Sequence, residues 1–74
     1  MTVERLNEIA KRTNEIRIYC RKHDNAKKLH WVDVLLNLSD ELITIDINDK
    51  YFWLGQSLLH DIGMLRNELL GRKN

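Results

Sequence analysis

Between positions 51 and 69, Tyr51, Gly55, Leu58, Ile62, Leu65 and Leu69 recur at alternating intervals of four and three residues. A helix turns by about 100° per residue, so this spacing stacks the six positions into one seam, as in a bundle or coiled coil. No proline occurs in the 74 residues, and the first glycine is Gly55. Nothing before that point strongly breaks a long helix. The pattern predicts an all-α fold: a small three-helix bundle of antiparallel hairpin type, one domain over 1–74, with helices at about 2–22, 26–45 and 49–70.

The first helix is expected to start at a Thr2 cap, with Glu4 near the positive end of its dipole. Leu6, Ile9, Thr13, Ile16 and Cys20 form a narrow stripe, and charged or amide side chains cover the other sides. Asp24-Asn25 marks the break. The second helix carries two apolar rows. Trp31, Leu35, Leu38, Leu42 and Ile45 form one, and Leu29, Val32, Leu36 and Ile43 form the other. Together they span more than half the circumference, which predicts cover on more than one side and burial of Trp31 and Leu38. Ser39-Asp40 offers an alternative break. The β-branched run at 43–47 has strand character, but no second strand is present to pair with it. Gly71 is expected to end the third helix.

Four large residues, Tyr51-Phe52-Trp53-Leu54, open the third helix. Consecutive residues point in four directions, so one core cannot hold them all. Tyr51 and Leu54 are assigned to the core, leaving Phe52 and Trp53 in excess, just as the second helix has an apolar side to spare. A short chain with one cysteine has no internal disulfide, and chains of this size commonly need a staple. These features predict a second interface formed by Phe52, Trp53, Trp31 and Gly55, with the glycine allowing close backbone approach. The expected partners are a second copy of the chain, as a homodimer or higher oligomer, and a larger protein.

Catalytic signals are weak. Cys20 and His23 form one close pair, with His30 and His60 isolated, whereas zinc sites normally use two pairs. His60 and Asp61 are sequence neighbours and diverge on a helix. No nucleotide loop, nucleophile elbow or HExxH motif is present. The chain is therefore expected to be no enzyme and to need no metal or cofactor. Its apolar runs are too short to span a bilayer. One thiol and no secretory signal predict a cytoplasmic setting.

Charge is unevenly distributed. Positions 11–28 hold seven basic residues against Glu15 and Asp24, whereas 33–50 hold five acidic residues against Lys50. These groups could pair between helices or subunits. Alternatively, Arg21, Lys22, Lys27, Lys28 and His30 could receive an anion at the start of the second helix, with Trp31 beside it to stack on a base. The net charge of +1 is low for a nucleic-acid binder. The favoured expectation is a non-enzymatic binding protein that occupies a surface on a larger protein. Small regulators or inhibitors from phages and mobile elements commonly have this form. The alternative is a nucleotide or nucleic-acid binder that uses the basic cluster.

Overall fold

A computed structural model of the protein describes residues 1–23 and 27–71. Three helices follow in order: α1 (Val3–Lys22), α2 (Lys28–Ile43) and α3 (Phe52–Leu69). The start of α1 meets the end of α2 through Arg5 and Glu41, and its end meets the end of α3 through Arg21 and Glu68. Gly55, early in α3, lies beneath Leu42 and Ile45. The helices therefore run up, down and up, and each is antiparallel to the next. The three-helix, all-α expectation holds.

Local chemistry sets the helix ends. The Thr2 hydroxyl accepts the Arg5 N–H at 3.2 Å, completing the expected cap. Gly71 adopts φ +72, and its N–H donates to the Glu68 carbonyl. This is the left-handed stop that glycine enters without steric cost. The Asp24-Asn25 break lies outside the described residues.

Two boundaries are tighter than expected. α2 ends at Ile43 rather than near 45, and α3 begins at Phe52 rather than near 49. The segment between them is held by side chains. The Thr44 hydroxyl donates to the Glu41 carbonyl, Asp46 Oδ1 accepts the Asn48 N–H, and Asp49 Oδ1 accepts the Tyr51 N–H. Such aspartate turns compete with helical hydrogen bonds, and the adjoining β-branched residues have little helix propensity to oppose them. No strand forms there, and α2 does not break at Ser39.

The core takes Leu6, Ile9 and Ile16 from α1, Val32, Leu35 and Leu42 from α2, Ile45 from the turn, and Ile62, Leu65 and Leu69 from α3. Two hydroxyls are buried with them. Thr13 donates to the Ile9 carbonyl at 2.8 Å and Ser39 to the Leu35 carbonyl at 3.0 Å. Each thereby satisfies its polar group one turn back without a partner helix. The α3 seam is as expected, with Tyr51 and Leu58 half-buried. Leu54, expected inside, is exposed, because its position turns off the line of the seam. Trp31 and Leu38, expected to be buried, are half-buried at the rim of the α1–α2 contact.

Candidate functional site

The position of α1 determines which apolar surface stays open. Arg12 Cζ sits 5.7 Å from the centre of the Trp31 ring, and Arg5 forms a two-pronged pair with Glu41 at 2.6 and 2.7 Å. Trp31 and Glu41 therefore mark the side of α2 that faces α1. Hydrogen bonding to Arg5 holds the Glu41 carboxyl below its usual range. The row Val32, Leu35, Ser39 and Leu42 points between α1 and α3.

Leu29, Leu36 and Ile43 occupy the remaining flank. They are seven residues apart, about 80° around the helix from the buried row. They are 76%, 39% and 65% exposed. On α3, Glu68 marks the α1 side through its 3.2 Å pair with Arg21. Phe52, Leu59, Gly63 and Leu70 lie on the opposite flank, beside the open row of α2. The three large residues are half-buried and pack on the core. A Cβ built at Gly63 would meet nothing within 4 Å. The result is a lengthwise apolar groove between α2 and α3, on the face away from α1, with no side chain at Gly63. From Leu29 to Ile43 it runs about 21 Å, at 1.5 Å per residue. Asp33 and Asp40, both exposed, line its outer edge on α2.

The four residues expected at an interface are dispersed. Phe52 lines the end of the groove, and its ring stands edge-on to Trp53 at 5.0 Å. Trp53 is 74% exposed and points opposite the seam. Gly55 is buried against Ile45, so its close approach serves the α2–α3 contact within the chain. Trp31 belongs to the α1–α2 side. Leu29, Leu36 and Ile43 belong to a row already visible in the sequence. Their role as a groove wall depends on α3, which sequence spacing cannot place.

A second feature lies between α1 and α2. Arg12, Glu15, Ile16, Tyr19 and Trp31 line a shallow cleft of about 270 Å³. Tyr19 stacks near His23 at 4.4 Å and Trp31 at 5.5 Å, and His30 meets Trp31 at 4.9 Å. The Trp31 indole N–H is shielded and has no partner among the described residues. Of the basic residues expected here, Arg21 is paired with Glu68. Lys22, Lys28 and His30 are exposed, and Lys27 stands at the N-cap of α2. The first turn of α2 holds no acidic residue. Sequence reasoning missed Arg12 and Tyr19, although their seven-residue separation on α1 places them on one line of that helix.

Among the described residues, no group of three histidine, cysteine or acidic side chains could hold a metal ion. Nor is any described helix long and apolar enough to cross a membrane. Comparison with protein-family models, curated proteins and solved structures gives no match.

Proposed function

We propose that the protein is a non-enzymatic helical interaction module that regulates or inhibits a larger protein by contact through the α2–α3 groove. The exposed row Leu29, Leu36 and Ile43 carries this reading. Each such side chain gains about 1.5–3 kcal/mol on full burial. A continuous apolar strip set between polar edges is how soluble proteins mark binding surfaces. The test uses the wild-type protein and its Leu36→Asp form as baits in a cell lysate, with helicity checked by circular dichroism. A partner that is captured by the wild type and lost with the variant supports the reading. Equal capture by two equally helical baits overturns it.

A second reading is favoured by the ring cluster around Trp31. A planar anion such as a nucleotide could stack in that cleft, with Arg12, Lys22 and Lys28 supplying positive charge. Binding there should weaken steeply with salt and disappear in Trp31→Leu, whereas groove binding should survive Trp31→Leu unchanged.

A further inference from the structure

We infer that the groove receives a single amphipathic α-helix of a partner protein, whose basic residues lie over Asp33 and Asp40. The inference rests on the groove being the interface and names what fills it.

The shape of the face favours a helix. α2 and α3 are antiparallel neighbours already covered on one side by α1, so the open side has the geometry of the missing member of a four-helix bundle. Its apolar wall repeats every seven residues, the period at which a packed helix presents its own seam. Gly63 leaves open space on the α3 side of this wall, which a partner side chain can occupy. A groove of about 21 Å matches roughly four turns of helix.

Charge selects among helices. Asp33 and Asp40 are also seven apart and pair with no cation among the described residues. The facing edge, on α3, carries the neutral Gln56. The groove is thus acidic along one edge only, and a helix with Lys or Arg on the matching flank is favoured in one orientation. A second copy fits less well. A two-fold axis at Leu36 pairs residue n with about 72 minus n, because antiparallel helices oppose equal flanks. It therefore brings Asp33 beside Asp40 of the partner subunit, twice over.

The probes are two synthetic helical peptides of about 20 residues, with leucine at the a and d positions and either lysine or glutamate on the flank. Calorimetry with the full chain should show the lysine peptide binding about tenfold tighter or better at low salt, a difference of about 1.4 kcal/mol. The preference should vanish in Asp33→Asn/Asp40→Asn. Binding should be lost in Leu36→Asp, and in Gly63→Leu, which occupies the open space while leaving the core untouched. Absent binding, or equal binding of the two peptides, overturns the inference. A homodimer in sedimentation equilibrium that Leu36→Asp dissociates also overturns it, while leaving the groove as an interface. If Leu36→Asp changes neither mass nor capture, the interface reading fails as well.

Discussion

Gly55 passes so close to Ile45 that a methyl group on its Cα would lie 2.6 Å from Ile45 Cδ1. This contact closes the turn end of the α2–α3 pair. Alanine there gains about 1 kcal/mol of helix propensity but overpacks the core, which costs about 1–3 kcal/mol. Gly55→Ala should therefore fall short of that propensity gain in urea unfolding. Ile45→Val removes the obstructing methyl, so Gly55→Ala added to that background should stabilise. A double-mutant cycle with no coupling would mean that the two side chains do not compete for space.

Truncation should separate the two sides of α2. Leu35 is fully buried, and Leu35→Ala is expected to cost about 2–5 kcal/mol. Leu29 stands in the open row, and Leu29→Ala should stay within about 0.5 kcal/mol. Comparable losses at both positions would show that the open row is covered in solution.

Acid should loosen α1. The Glu41 carboxyl lies below its ordinary value of 4.5 because Arg5 hydrogen-bonds its ionised form. The unfolded chain then takes up a proton more readily than the folded one. The contribution is fully present above pH 4.5 and is lost as pH falls through the lower, folded value. Asp49, held down by the Tyr51 N–H, acts in the same direction below its ordinary 3.8. The thermal midpoint should fall as pH drops below about 4.5, and Glu41→Gln should flatten that fall. An unchanged profile in the variant would show that the Arg5 pair contributes nothing in solution.

The two tryptophans should respond differently to solvent. Trp53 is largely exposed, whereas Trp31 is half-buried with a shielded indole N–H. Trp53→Phe should remove the readily quenched, red-shifted part of the emission and leave stability within about 0.5 kcal/mol. Strong protection of Trp53 from acrylamide would place it in a contact, as an oligomer formed around Phe52 and Trp53 requires.

Much of this architecture was legible in the sequence. The α3 seam and the α1 stripe of Leu6, Ile9, Thr13 and Ile16 depend only on helical period, which neighbouring residues already specify. The inward face of α2 was not legible. Its buried row draws on both apolar rows and includes Ser39, a residue that pattern alone assigns to neither. The choice was made by the positions of α1 and α3, through contacts distant in sequence. The excess of apolar side chains over one core was readable from Phe52, Trp53 and the second row of α2. Their partition into a groove wall, a groove end and an exposed tryptophan depends on how the helices are arranged around one another.

The two ends of the bundle also carry opposite charge. Lys22 and Lys28 lie where α1 ends and α2 begins, and Asp40, Asp46 and Asp49 lie near the other end, where the N-terminal amine and Lys50 offset only part of their charge, on a chain of net charge +1. Such a molecule drifts slowly in an electric field yet carries a permanent dipole. In dilute buffer the opposite ends of neighbouring molecules should attract, whereas at physiological ionic strength a screening length of about 8 Å hides one end from the next. Its solubility should therefore rise when salt is first added, and preparations should be clearest in moderate salt rather than in water.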